Sequence, residues 1–318
     1  MRVYRSLAEI PAGAFDGGSA VAIGKLDGVH LGHRALLDGI AEAAAERGLE
    51  PVVFTFENHP LSLLRPDICP VRLMSPQQRL DAIAEAGAAT CVMVPFDEAL
   101  AQMPAEQFIE QVLVDTLGAR HLSLGSDFRF GHGGTGDAQL LARAGERFGF
   151  TVEIVGEVVD PELGRISTSR VRQAILQGDV ATATRMLGRP PAVRGEVVHG
   201  DARGRDLGFP TANLGPGADG TPFEGLIPAD GVYAGWAVVR GERHRAAISV
   251  GVNLTFDPAG DPRVEAHLLD FDGDLYGERM EVRFVERLRG MVAFSGVEAL
   301  VERVHEDIRE AGILLTGR

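Results

Sequence analysis

The feature that most constrains the fold is a change of pattern partway along the chain. Up to about Gly188, short runs that are apolar throughout alternate with amphipathic helical stretches. "AVAIG", "PVVFTF", "TCVMVPF", "HLSLG" and "TVEIVGEVV" read as strands; "SPQQRLDAIAEAG", "PAEQFIEQVLVDTLG" and "GDAQLLARAGERFG" read as helices. Strands without polar alternation, each followed by a helix, predict a doubly wound parallel α/β sheet covered on both faces. Pro76 and Pro104 stand near helix starts, where proline's missing N–H is not needed. After "LGRPP", residues 187–191, β-patterned segments take over: "AVRGEVVHG", "GVYAGWAVV", "HRAAISVG", "RVEAHLLDF" and "MEVRFVERL". The helix "SGVEALVERVHEDIREAG" closes the sequence, with Ser295 as its expected cap. This second half predicts an antiparallel barrel or sandwich with a C-terminal helix. The expected domains are residues 1–187 and 188–318.

Composition narrows the function. A length of 318 residues exceeds one compact core, in keeping with two domains. No apolar run approaches the ~18 residues of a membrane span, and the opening residues lack the apolar core of a secretory signal. Two cysteines, Cys69 and Cys91, build no disulfide framework, so a reducing cytoplasm is the expected location. The net charge of −14 argues against a general nucleic-acid binder, which needs a basic field. A few arginines and helix N-termini can still hold a small anion. Lys25 is the only lysine in the chain.

Lys25 lies in "GKLDGVHLGH", residues 24–33, where the first apolar strand hands over to a helix. Unpaired N–H groups and the helix dipole favour an anion at such a terminus. His30 and His33 add side-chain donors, and Gly24 and Gly32 keep the backbone approachable. By itself the stretch also reads as a well-made turn. A second segment, "ISTSRVRQAI", enters a helix with the hydroxyls of Ser167, Thr168 and Ser169 and the charges of Arg170 and Arg172. Alone it reads as an N-cap followed by exposed arginines. Together and in this order the two segments suggest a phosphate-handling site.

In the second half, "GDARGRDLGFPTANL" joins a Gly/Arg loop to Thr211 and Asn213, whose side chains share one face of an extended segment. Both are hard oxygen donors suited to Mg²⁺ and phosphate. In "VEAHLLDFDGDLYG", Glu265 and His267 alternate with Val264, Ala266 and Leu268, and a carboxylate flanked by apolar residues can serve as a general base. The bland readings are a polar strand end and a half-exposed strand. Asp270, Asp272 and Asp274 lack the closing glutamate of a calcium loop and read as a solvated turn. No Cys/His cluster has zinc-ligand spacing.

"GVHLGH" resembles the signature of the nucleotidyltransferase superfamily, in which a late Ser/Thr-Arg segment faces the His motif across the triphosphate. With "FENHP", "LGSDFRFGHGGTGD" and "ISTSRVRQAI", the first half resembles the adenylyltransferase module of the prokaryotic bifunctional riboflavin kinase/FAD synthetase family. "GDARGRDLGFPTANL", "GVYAG", "SVGVNLTF", "VEAHLLDFDGDLYG" and "RLRGMVAF" resemble that family's flavokinase module, a six-stranded antiparallel barrel. The resemblance implies two ATP-dependent reactions with Mg²⁺: riboflavin to FMN, then FMN to FAD with release of pyrophosphate. It implies that His30 and His33 donate to ATP phosphates and that Ser167, Thr168, Ser169, Arg170 and Arg172 line the triphosphate. Asp127 would help position FMN or ATP, while Asp27 would fix the turn. Thr211 and Asn213 would hold Mg²⁺ and ATP phosphates, Glu265 would take the proton from the ribityl hydroxyl, and Arg289 would contact flavin or nucleotide. Lys25-Leu26 stand where Asn-Phe is common in the family. Asn58 replaces a proline, "STS" replaces "SST", and Leu254 and Gly290 also replace prolines. Two rivals follow: an enzyme that keeps one activity, and a non-catalytic flavin-binding protein on the same scaffold. The expected partners are riboflavin, FMN and ATP, with neither nucleic acid nor membrane; the oligomeric state stays open.

Overall fold

The structure, a computed structural model, describes residues 1–200, 207–251, 263–294 and 296–317. Ser295, Leu254 and most of the Gly/Arg loop after Gly200 lie outside the described residues. The chain forms two compact units, Met1–Ser167 and Thr168–Arg318.

The first unit holds six parallel strands: β1 (Arg2–Tyr4), β2 (Ser19–Ile23), β3 (Glu50–Phe56), β4 (Thr90–Val94), β5 (Ala119–Gly125) and β6 (Thr151–Val155). Their order is β1-β4-β3-β2-β5-β6. The expected continuous apolar strands follow from burial on both sides. Val21 and Ile23 enter one core with Phe54, Phe108, Leu113 and Leu124. Ala20 and Ala22 enter another with Leu36, Leu37, Ile40 and Ile83. The helices are α1 (Leu31–Arg47), α2 (Pro60–Leu64), α3 (Pro76–Glu85), α4 (Glu98–Gln102), α5 (Ala105–Gln107) and α6 (Ala138–Phe148).

Local chemistry sets these boundaries. Ser75 and Gln78 form a reciprocal capping box with Pro76 at the first turn of α3. Asp137 caps α6, and Gly149 ends it in the left-handed region. Three details differ from the sequence expectation. The short strand β1 and helix α4 carry too few residues for a visible period. Beyond α5 the helix continues in π winding over Phe108–Thr116, which keeps Phe108, Ile109, Val112 and Leu113 buried. The run "TVEIVGEVV" breaks after Val155, and its tail forms a hairpin from β7 (Val159–Asp160) and β8 (Gly164–Arg165).

The second unit opens with α7 (Thr168–Leu176) and α8 (Val180–Leu187). It continues through β9 (Ala192–Val198), β10 (Ala212–Gly215), β11 (Gly231–Val239), β12 (Glu242–Gly251), β13 (Arg263–Leu268), β14 (Arg279–Arg289) and α9 (Val297–Leu314). The six strands close into an antiparallel barrel in the order β10-β13-β12-β11-β14-β9, which selects the barrel over the sandwich. Closure removes the exposed edges an open sheet would leave. Val180 of α8 joins the barrel core of Val193, Leu214, Tyr233, Ile248, Val264 and Phe284, and the Ala229 N–H donates to the Ile175 carbonyl of α7. These two helices precede the expected boundary at 187/188 yet pack with the barrel.

Candidate active sites

In the parallel sheet, β2 pairs with β3 on one side and β5 on the other, so the chain changes direction of travel across the sheet at β2 and β5. Such a switch point opens a crevice beyond the carboxyl ends of the strands. Ile23 pairs with Leu124, so the segments carrying His30 and Asp127 leave the sheet side by side. Asp127 is exposed in the turn closed by the Phe128 N–H to the Gly125 carbonyl, 3.1 Å.

The turn between β2 and α1 is an unusual piece of backbone. Gly28 has a positive φ, 89°, and so do two side-chain-bearing residues: Leu26 at 50° and Val29 at 41°. Left-handed backbone at a bulky residue costs about 1–3 kcal/mol and persists only where surroundings impose it. Here both side chains are buried in the core with Leu36 and Ile40. The Asp27 carboxylate, also buried, accepts from the N–H of Leu73 (3.0 and 3.1 Å) and Met74 (3.3 Å). Thr55 Oγ1 donates to the Lys25 carbonyl at 3.1 Å, while the Lys25 side chain is exposed.

His30 is the N-cap of α1, and its Nδ1 accepts from the His33 N–H at 3.2 Å. A ring nitrogen that accepts leaves the neutral imidazole's proton on Nε2, a donor suited to phosphate oxygen. The two rings stack 3.7 Å apart at 13°. Gly32 lies under this arrangement: a Cβ there would sit 3.1 Å from His30 Cε1. Its missing side chain therefore makes room for the imidazole. Gly24, where a Cβ would make only ordinary contact with Leu26, is less constrained.

Arg79 is the residue the sequence reading missed. It is buried in α3, and its guanidinium donates to the carbonyls of Lys25 (2.9 Å), Phe56 (2.5 Å) and Glu57 (3.0 Å). Burial pulls its pKa down from the ordinary arginine value, with the charge of Asp27 opposing. The available signal was an arginine four residues before Ile83, on the face the helix buries. Asn58 exchanges two hydrogen bonds with the Phe96 backbone, at 2.7 and 3.1 Å, stitching the segments after β3 and β4. His59 caps α2, and His132 Nδ1 lies 3.3 Å from the Ala101 carbonyl oxygen.

Ser167 ends the first unit, after the β7–β8 hairpin. Thr168, Ser169, Arg170 and Arg172 occupy the start of α7 in the second unit, where Val171 is buried.

On the barrel, the alternation predicted for β13 is present. Val264, Ala266 and Leu268 point to the core with Ala212 and Leu214, leaving Asn213, Glu265 and His267 on the other face. Asn213 pairs with Glu265 across β10 and β13. Thr211 Oγ1 donates to Glu265 Oε2 at 3.2 Å. Asn213 Oδ1 is buried and has no hydrogen-bond partner among the described residues. Gly200 lies against this amide, with a Cβ position only 2.5 Å from Nδ2. His267 Nδ1 is 2.8 Å from the Pro210 carbonyl oxygen. Among the described residues no group of three His, Cys, Asp or Glu side chains is arranged for a metal.

Arg289 ends β14, which pairs with neither β10 nor β13. Its guanidinium grips the buried Asp307 of α9 through Nε (3.0 and 3.1 Å) and Nη2 (2.7 Å). Arg303 also approaches Asp307, at 3.2 Å. His305, on the same helix, meets the ring edge of Phe209 just before Pro210 and Thr211.

The two folds are those of a nucleotidyltransferase unit and a riboflavin-kinase barrel. The FAD synthetase family matches residues 13–170 and the riboflavin kinase family residues 187–315. A bifunctional riboflavin kinase/FMN adenylyltransferase from Pseudomonas fluorescens is 36% identical, covering 93% of each chain. One from Escherichia coli (strain K12) is 38% identical, over 91% of this chain and 90% of that protein. A solved structure from Streptococcus pneumoniae, described as a macrolide-efflux protein, shares 33% identity and a TM-score of 0.81, over 96% of this chain and 97% of that one. That description belongs to that protein; among the described residues here no helix is long and apolar enough to cross a membrane.

The chain belongs to the bifunctional riboflavin kinase/FMN adenylyltransferase family. It phosphorylates riboflavin to FMN with ATP, and it transfers an adenylyl group from ATP to FMN to give FAD.

Proposed function

We propose that the two reactions are divided between the residues singled out above. In the kinase reaction Glu265 takes the proton from riboflavin's terminal ribityl hydroxyl as that oxygen attacks the γ-phosphorus of ATP, the bond from that phosphorus to the β,γ-bridging oxygen breaks and ADP leaves. The observation that carries this reading is the meeting of Thr211, Asn213 and Glu265 at adjacent strands, with the Thr211 hydroxyl 3.2 Å from the carboxylate. Hydrogen bonding from Thr211 orients the carboxylate, as a general base requires. The residues fit a hard cation: the buried Asn213 Oδ1 lacks a hydrogen-bond partner among the described residues, and the Thr211 hydroxyl stands two positions away. Thr211 and Asn213 would hold Mg²⁺, which would offset charge on the ATP phosphates. Arg289 serves the flavin or nucleotide side of this site, steadied by Asp307.

In adenylyl transfer the FMN phosphate attacks the α-phosphorus of ATP and pyrophosphate leaves, so the protein positions reactants and stabilises charge. His30 and His33 donate to the phosphates beside the N-terminus of α1. Gly24, Asp27 and Gly32 shape that turn, and Asp127 helps orient FMN or ATP. Ser167, Thr168, Ser169, Arg170 and Arg172 bind the triphosphate and leaving group. The functional boundary at 187/188 draws support from the riboflavin kinase match, which begins at residue 187. The two free thiols, Cys69 and Cys91, favour action in the cytoplasm.

The test is a Mg²⁺ titration of both reactions, followed by flavin chromatography. In Asn213→Ala the Mg²⁺ needed for half-maximal FMN formation rises by about tenfold or more, the cost of losing one metal or second-layer contact. The requirement for FAD formation from supplied FMN stays where it was. An unchanged requirement in the kinase reaction overturns the metal assignment.

A further inference from the structure

We propose that Arg79 is a positioning residue for adenylyl transfer. From a buried place in α3 it holds the backbone of the turn between β2 and α1, and so keeps the stacked His30 and His33 rings in register. This rests on the roles given to those histidines above.

The inference comes from a reciprocal exchange between two segments far apart in sequence. The turn sends the Asp27 carboxylate to the N–H groups of Leu73 and Met74, which lead into α3. Helix α3 returns the Arg79 guanidinium to the Lys25 carbonyl, one residue before Leu26 enters left-handed backbone. The same guanidinium takes the carbonyls of Phe56 and Glu57, fastening the turn to the end of β3. Burial of Leu26 and Val29 gives the turn an apolar floor, but apolar contact is non-directional and does not dictate a dihedral angle. Directional bonds to the Lys25 carbonyl do: Arg79 from α3 and Thr55 from β3 both donate to it.

A buried guanidinium is costly, and a fold that needed only a filled space here could use an apolar residue. Each carbonyl it binds belongs to backbone leaving the carboxyl end of a strand, where the reacting groups gather. If the turn relaxed, His30 would lose the φ and ψ that place Nδ1 on the His33 N–H, and the 3.7 Å ring stack with it. The chemistry needs this precision because it has no covalent intermediate: rate depends on how donors meet the charge that develops on the phosphates.

The experiment compares Arg79→Met, Arg79→Lys and Thr55→Val in the full-length chain, following both reactions. A displacement of about 1 Å at the histidines lowers kcat for FAD formation by about ten- to a hundredfold in Arg79→Met. The KM for FMN and the rate of riboflavin phosphorylation hold. Arg79→Lys recovers part of the loss, and Thr55→Val shows a smaller loss of the same kind. Long-range ¹H–¹⁵N spectra of the histidine rings show the His30 and His33 signals displaced in Arg79→Met. A lowered melting temperature with kcat and ring signals unchanged overturns the proposal and leaves Arg79 as a stabilising group only. If Arg79→Met fails to fold, Thr55→Val and Arg79→Lys decide, since unchanged kcat in both also overturns it. His33→Ala separates the two claims. Full FAD formation in His33→Ala removes the histidine roles themselves, whereas its loss beside an unaffected Arg79→Met defeats this inference alone.

Discussion

The two proposed sites would solve phosphate chemistry with different materials. At the switch point of the parallel sheet the proposed site leans on backbone: a helix N-terminus and a turn with two bulky residues in left-handed conformation, which together carry the paired imidazoles. On the barrel they are side chains that alternation places on one face of adjacent strands, with Thr211, Asn213 and Glu265 needing no unusual dihedral angle. The first kind of site is exposed to anything that lets the backbone relax. The second is exposed mainly to deletion of a functional atom, because the closed barrel fixes its registers.

The largest effect that could break this comparison is at Glu265. Glu265→Gln keeps the shape and removes the proposed base, so FMN formation falls by about 10²–10⁴-fold. FAD formation from supplied FMN continues, and chromatography of the flavins reads both. A parallel loss of both activities in a folded protein would end the separation of sites. Next is His33→Ala, which lowers FAD formation by about 10²–10³-fold, the usual cost of one donor to developing charge, with FMN still accumulating. Third is stability. Asp307→Ala leaves Arg289 partly buried without its carboxylate and costs about 3–5 kcal/mol in denaturant unfolding of the second unit. A loss under about 1 kcal/mol would make the pair a surface-like contact.

The smallest effect sharpens the contrast through pH. Burial, only partly offset by the hydrogen bond to the Glu153 carboxylate, holds the His121 imidazole below its ordinary value of 6.5. Its unfolded form binds a proton first, so the first unit keeps this stability above about pH 6.5 and loses it as pH falls below that. Glu281 loses its contribution in the same direction but at lower pH. Burial would raise its carboxyl, yet Arg194 and Arg283 hold it below 4.5. That stability is present above the unfolded value and fades only as pH falls through the carboxylate range. Melting curves between pH 7 and 3 should show the first unit weakening before the second, and His121→Gln should remove the early part. Simultaneous loss in both units would contradict the assignment.

Much of this was legible in the sequence because it is local. The period-2 alternation around Glu265 and the uniformly apolar "AVAIG" state how many faces each strand buries. The Ser75–Gln78 box and Gly149 mark helix ends with side chains next to the backbone they satisfy. The Arg289–Asp307 pair was not legible, since the partners stand 18 positions apart and only packing of α9 brings them together. Arg79 was hidden for the same reason: it looked like one more arginine on a helix, and its three carbonyl partners come from two other segments.

The sequence by itself determined the class of each unit, the order of elements and the family, because periodicity, capping and motif residues act within a few positions of one another. Strand periodicity alone left barrel and sandwich open, and only the family resemblance implied the barrel; nothing in the sequence decided the π winding after α5 or the unit with which α7 and α8 pack. Nor did the sequence decide that Gly32 makes room for a histidine ring or that Arg79 holds the turn. Those depend on strand register, volume and buried charge, which are fixed only when distant segments meet.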